Sequence, residues 1–167
     1  DKEISLAGGC LRHDGRIYGI TYDSAGNLQA AVPHWVVLDA ETFEVILDKP
    51  LPSGGVATTR GLAYCPADGQ IYGLLRDYTD AYIVRIHPET GEMARITQAL
   101  DYRKTFLTLS ADAAGQLYAI YLLEDYQTGD QRQFLTRINP ADGTMADVGE
   151  IQGNNLLPGD ILYNMKY

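Results

Sequence analysis

The chain is poor in most of what marks a catalytic, metal-binding or membrane protein. Its 167 residues hold two cysteines, Cys10 and Cys65. Neither stands in a C-x-x-C pair, so no zinc or redox site is written in the sequence. A disulfide needs Cα atoms within about 7 Å, which the spacing does not establish, and two buried thiols are the expectation. Lys and Arg number 13 against 22 Asp and Glu, for a net charge of −9. That balance argues against nucleic acid, whose phosphates need clustered cations. No apolar run approaches the ~18 residues that cross a bilayer as a helix. No stretch keeps a capped helical period, so helix content should be very small. An initiator Met and a charged-then-apolar leader are both missing, as expected of a chain that has been processed or trimmed.

Catalytic signatures are missing as well. Ser5, Ser24, Ser53 and Ser110 all lie outside a G-x-S-x-G elbow, and no glycine-rich loop follows a strand and opens a helix. The acidic groups Asp77 and Asp80, or Glu124, Asp125 and Asp130, do not form the spaced oxygen ladder of a calcium loop. His13, His34 and His87 fall in unlike local contexts. No catalytic residue, metal or cofactor is expected. What remains is 46% apolar, enough for a disulfide-free core in a domain of this length.

The strongest positive signal is an internal repeat. His13-Asp14-Gly15-Arg16-Ile17-Tyr18-Gly19-Ile20 aligns with Ala67-Asp68-Gly69-Gln70-Ile71-Tyr72-Gly73-Leu74 and with Ala113-Ala114-Gly115-Gln116-Leu117-Tyr118-Ala119-Ile120. Each is a turn dipeptide before an apolar–Tyr–small–apolar strand, and Asp-Gly between apolar runs is a hairpin signal. A second block recurs as Val37 to Glu44, Arg85 to Glu92 and Arg137 to Thr144. In the last two copies the strand ends at x-Pro, turns through a polar triplet with Gly, and returns. Phe43 stands where Gly91 and Gly143 stand, so the first turn should differ. His87, Asn139 and Asp39 share one slot, which suits capping of the turn. Apolar openers at Ser5 to Leu11, Gly61 to Cys65 and Phe106 to Ser110 bring the count to four strands per unit.

The repeated tyrosines are 54 and 46 residues apart. Four strands in roughly 40–50 residues make a β-propeller blade. The expected fold is all-β: three four-stranded antiparallel blades (about 3–48, 60–98 and 105–151) and the first strand of a fourth (about 159–167, around Ile161). Tyr18, Tyr72 and Tyr118 should pack between blades, each with a partner for its hydroxyl. Three blades do not close a ring, since propellers use about four to eight. The missing blades come either from a longer parent chain or from another copy of this one.

The pattern G-L-A-Y-x-P-x-D-G-x-I-Y-G-L followed by R-I-x-P-x-T-G-E, as it stands from Gly61 to Glu92, resembles the blades of secreted bacterial propellers of the broad NHL, YVTN and PQQ-like kind. The resemblance spans nearly the whole chain and implies architecture and an extracytoplasmic location (periplasm or cell surface). It is poor in functional detail, because one fold hosts many roles. It also implies that ligands meet the face where the second strand of each blade turns to the third and where one blade passes to the next. Those loops are Tyr22 to His34, Arg76 to Ala81 and Glu124 to Gln133, with Lys49 to Thr59, Gln98 to Lys104 and Gln152 to Pro158. They vary in length on a constant scaffold, as loops that carry function do. Trp35, Arg60, Tyr78, Tyr102, Arg103 and Tyr126 are the candidate ligand-binding residues, because aromatic faces beside charges suit sugars or peptides. The expected role is a binding or scaffolding module for a glycan or protein partner. The alternative is part of a propeller hydrolase or lyase whose site other blades complete.

Overall fold

The computed structural model describes residues 10–23, 32–51, 58–76 and 80–152. They form twelve strands in chain order. The first sheet holds β1 (Leu11–His13), β2 (Arg16–Asp23), β3 (Val32–Asp39) and β4 (Val45–Pro50). The second holds β5 (Thr58–Cys65), β6 (Gln70–Arg76), β7 (Ala81–Ile86) and β8 (Met93–Arg95). The third holds β9 (Lys104–Ala111), β10 (Leu117–Glu124), β11 (Gln131–Ile138) and β12 (Met145–Glu150). Each sheet is an antiparallel meander in which sequence order is spatial order. Among the described residues there is no helix. Three blades are therefore present. The expected strand around Ile161, and residues 5–9 of the first opener, lie outside the described residues.

Two kinds of turn build each blade. Between β1 and β2 the two-residue turn Asp14-Gly15 has positive φ at both positions, 48° and 70°, the twist-matched hairpin connection. Between β5 and β6 the loop is longer, and of Asp68-Gly69 only the glycine has positive φ. The Asp68 carboxylate instead accepts the Gln70 amide at 3.0 Å and the Tyr72 hydroxyl at 2.6 Å.

The second kind recurs four times, at Asp39–Glu44, His87–Glu92, Asn139–Thr144 and Asp125–Asp130. In every copy the first amide donates to the sixth carbonyl at 2.9 Å, and the fifth amide donates back to the first carbonyl at 2.7–3.0 Å. The first side chain accepts backbone amides inside the loop. Asp39 takes Glu41 and Thr42 at 2.9 and 2.8 Å, and Asn139 takes Ala141 at 3.0 Å. The His87 Nδ1 receives longer bonds from Glu89 and Thr90, at 3.3 and 3.4 Å. The fifth residue is left-handed throughout: Phe43 at 59°, Gly91 at 65°, Gly143 at 72° and Gly129 at 76°. The first turn does not differ from the others, then. Phe43 is held in a conformation that glycine adopts without steric cost, because the capping and backbone bonds of the loop are the same.

Strand alternation lets one blade serve two interfaces. Blade 1 offers Tyr18, Ile20, Trp35 and Val37 to Ile71, Leu75, Val84 and Ile86 of blade 2. The opposite face of blade 2, with Ala63, Tyr72, Leu74 and Ile83, meets Leu117, Ala119, Tyr121 and Ile138 of blade 3. Both faces of β6 are covered, which is why Ile71-Tyr72-Gly73-Leu74-Leu75 reads as a continuous apolar run.

Across each interface the outer turn of one blade rests on the blade before it. A Cβ on Gly91 would lie 2.5 Å from Trp35 Cδ1. One on Gly143 would collide with the Ile96 carbonyl and lie 2.8 Å from Thr97. Positive φ and close approach coincide at these two glycines.

Trp35 is accordingly not a ligand residue at a strand edge. It is the fourth residue of β3, is 0% exposed, and forms part of the first interface. β3 begins earlier than the sequence pattern implies, which draws Pro33 and His34 out of the loop and sets Trp35 inside the strand instead of at its edge. Tyr18 and Tyr72 are buried as expected, whereas Tyr118 is half-buried. Of the expected pair of buried thiols only Cys65 is buried. Cys10 is exposed, and the two are not bridged.

Tyr72 is 1% exposed and Tyr102 is 82% exposed, so the two should separate cleanly in denaturant unfolding. Tyr72→Ala removes a packed aromatic and should cost about 3–5 kcal/mol. Tyr102→Ala should stay within about 0.5 kcal/mol. Equal midpoints would place Tyr72 outside the blade interface.

Candidate functional site

The loop face is best defined at blade 3. β9 starts at Lys104, just after the connection from blade 2, and β10 ends at Glu124, where the capped turn Asp125–Asp130 leads into β11. The Asp125 Oδ1 accepts the Gln127 and Thr128 amides at 2.9 and 3.4 Å, and Thr128 Oγ1 accepts the Asp130 amide at 3.2 Å. Tyr126, the second residue of this turn, is left 72% exposed. The turn and the blade connection enclose a depression of about 480 Å³ lined by Arg103, Leu123, Glu124, Tyr126, Gln127 and Arg132.

Its cations are held in place. The Arg103 guanidinium makes a forked contact with Asp101, Nε at 3.1 and 3.2 Å from the two oxygens and Nη2 at 2.8 Å. That hydrogen bonding, with the Arg103 amide adding to it, lowers the Asp101 carboxyl to about 2. Arg132 lies 3.7 Å from a Glu150 oxygen, with its guanidinium carbon 5.3 Å from the Phe134 ring centre.

An aromatic stack runs along the same strands. Tyr121 packs on Phe134 with centroids 5.3 Å apart at 15° and tilts against Phe106 at 5.5 Å. The Lys104 ammonium sits 4.2 Å from the Tyr121 centroid. The Tyr121 hydroxyl donates to Asp147 at 2.9 Å. Burial, and then that bond to a carboxylate, raise the phenol well above its ordinary pKa. A short capped turn and a packed ring pair are rigid supports, so the arginines and Tyr126 are presented on a fixed frame.

The six expected residues thus part company. Arg103 and Tyr126 come together on one depression. Tyr102 is next to Arg103 in the chain but is not among the lining residues. Trp35 is in the core. Arg60 falls within β5, at the register irregularity between Thr59 and Gly61, and not in the preceding loop. Tyr78 lies outside the described residues. Arg132 was not anticipated. It sits in β11 two residues before Phe134, and a cation in an otherwise polar strand start carried no repeat signal.

A larger cleft of about 820 Å³ lies at the junction of blades 1 and 2, lined in part by Lys49, Asp68, Arg85, His87 and Glu92. Lys49 to Leu51 open one of the expected loops, but the turns at Asp68 and His87–Glu92 lie outside the loop-face expectation. The signal available in the sequence was Arg85, a charge at the repeat position of Val37. Burial would raise the Asp68 carboxyl, but bonds from the Tyr72 hydroxyl and the Gln70 amide outweigh it and lower the pKa. The adjacent Cys65 thiol is raised by burial and then by its contact with Asp68. Among the described residues no three His, Cys, Asp or Glu side chains converge as a metal set would.

The Asp101–Arg103 fork has a defined pH window. Its carboxyl pKa is depressed in the folded chain, so the stabilisation is present above the ordinary value of 3.8 and is lost as pH falls through about 2. A carboxyl carbon NMR titration of Asp101 should give a midpoint near 2, and Arg103→Ala should return it toward 3.8. An unshifted midpoint in the unsubstituted chain would remove the fork from the site.

No protein-family profile and no curated protein matches the chain. Solved structures do resemble it. An orthorhombic crystal form of Pyrococcus horikoshii acylaminoacyl peptidase superposes with a TM-score of 0.56 at 10% identity, over 87% of this chain and 24% of the peptidase. The uncomplexed form of that enzyme superposes with a TM-score of 0.57 at 8% identity, over 89% of this chain and 25% of the peptidase. The chain spans about a quarter of the length of these neighbours, and at such identity the likeness is one of fold.

Proposed function

We propose that the chain is a binding module that holds a polar segment of a protein partner on the loop face of blade 3. The observation that carries this is the joint placement of Tyr126, Arg103 and Arg132 around one depression on a rigid frame. Tyr and Arg are the side chains that most often anchor protein contacts, because each pairs a flat apolar surface with directional polar groups. Both arginines already touch a carboxylate, so the depression is mixed in charge and suits a partner that brings both donors and acceptors. A glycan would use the same Tyr126 face and is the runner-up ligand. The resemblance of the repeats supports an extracytoplasmic setting for the module.

A second reading follows from the structural neighbours, which are chains of a peptidase. On that reading the blades belong to a larger enzyme and present peptide to chemistry carried elsewhere. Both readings share a peptide-binding loop face.

Selection of a random peptide display library on the purified chain, with a glycan array in parallel, is the test. Peptide hits should lose about tenfold or more in affinity with Tyr126→Ala or Arg132→Ala, as central anchor residues do. They should be indifferent to Arg85→Ala in the other cleft. Hits that ignore Tyr126 and Arg132, or hits on the glycan array alone, would overturn the proposal.

A further inference from the structure

The two blade interfaces follow one rule of size. The fifth residue of an outer turn points its Cβ direction at the preceding blade. It meets the third-strand side chain of Trp35 in one interface, and Ile96 and Thr97, just past the fourth strand, in the other. In the first interface the seat is Trp35 with its partner Lys49, and the incoming residue is Gly91. The Lys49 ammonium also donates to the Thr90 carbonyl of the same turn at 2.9 Å. In the second the seat is Ile83 with Ile96 and Thr97, where the Ile83 carbonyl accepts the Ile96 amide and its amide donates to Thr97 Oγ1. The incoming residue there is Gly143.

Blade 3 carries the same seat with nothing from the described residues inserted in it. The register puts Leu135 opposite Gly149, with Val148 at the irregularity beside them. This seat is opened relative to the first at Leu135 and relative to both at Gly149. Leu135 stands where Trp35 stands, and Gly149 stands at the place of Thr97. A Cβ on Gly149 would have no heavy atom within 4 Å, and Val148 is 60% exposed.

Blade 1 carries the reciprocal change. Its outer turn has the same backbone as the other two, so its fifth residue points the same way, but that residue is Phe43 and it is 66% exposed. Val45 and Ile46, which follow it, are 47% and 50% exposed. The turn is enlarged where the blade 3 seat is enlarged. Charge agrees, because Glu41 and Glu44 flank Phe43 while Arg137, two residues from Leu135 on the same face, is exposed.

We propose that Phe43 of a second copy of this chain inserts into the Leu135–Val148–Gly149 seat of blade 3, joining two chains head to tail. Two such contacts about a two-fold axis set the described blades of one chain against those of the other, and the pair closes instead of extending into a filament. An aromatic side chain entering a pocket in a ring of otherwise repeated contacts is an anchor. It also accounts for a bulky residue kept in a left-handed turn position where glycine costs nothing.

Sedimentation equilibrium of the 167-residue chain across a wide concentration range tests this. The unsubstituted chain should dimerise. Phe43→Gly and Gly149→Val should each raise the dissociation constant by about tenfold or more, the size of effect expected of an anchor and its pocket. Both should keep the β-sheet circular dichroism. Phe43→Gly removes only an exposed ring from the monomer and relieves its backbone, so it cannot act by unfolding the blade. Combining Phe43→Gly with Leu135→Trp rebuilds the pairing seen between blades 1 and 2 and should recover association relative to Phe43→Gly alone. A chain monomeric at every concentration would overturn the proposal. So would a dimer whose affinity is unchanged by Phe43→Gly and Gly149→Val.

Discussion

The contact on which the blade stack depends is the seating of each outer turn on the blade before it. The turn brings a left-handed residue, and the seat brings the Trp35 ring at one interface and the Ile96 carbonyl with the Thr97 side chain at the other. Gly91 against Trp35, and Gly143 against Ile96 and Thr97, are the two examples. A blade alone has an apolar surface on each face, and a single four-stranded sheet cannot bury both. Seating fixes the distance at which the next sheet covers one of them. Tyr72, Leu74 and Ile83 are then buried on one side of blade 2 while Ile71, Leu75, Val84 and Ile86 are buried on the other.

Much of this was legible in the residues. The repeat spacing, the turn chemistry and the apolar–Tyr–small–apolar strands led to three four-stranded blades, and the structure has them. The shared slot of Asp39, His87 and Asn139 was readable because few side chains can cap a loop amide. Errors arose where conformation is decided by several bonds together. Phe43 looked like a break in the turn pattern, yet the capping bonds and the two backbone bonds of the loop impose one conformation whatever the fifth side chain. Trp35 looked like an aromatic at a strand edge, because the pattern does not show how far β3 extends before its apolar core begins.

The site was only half legible for a related reason. Arg103 and Tyr126 stood out as charged and aromatic residues in loops of variable length, and the structure brings them to one depression. Which of several such residues meet is a matter of three-dimensional closure. The Asp125–Asp130 turn reuses the capped loop of the outer hairpins on the opposite face of the blade, so Tyr126 is placed by the same chemistry that places Ala40, Pro88 and Pro140. Arg132 and the junction cleft around Arg85 depend on register between strands, which a repeat alignment does not carry. The neighbours among solved structures, at 8–10% identity, agree on the architecture alone.

The seating contact separates from the backbone preference in one comparison. Gly91 and Gly129 both have positive φ, at 65° and 76°, but a Cβ at Gly91 meets Trp35 at 2.5 Å while one at Gly129 meets nothing within 4 Å. Alanine at either position carries the left-handed penalty of about 1–2 kcal/mol. Only Gly91→Ala must also push the indole or the turn aside. Urea unfolding followed by Trp35 fluorescence should show Gly91→Ala to be the more destabilised by at least about 1 kcal/mol, in the range typical of overpacking a core, with the native Trp35 emission shifted as well. Equal losses in the two variants, with unchanged emission, would contradict the seating of one blade on the next.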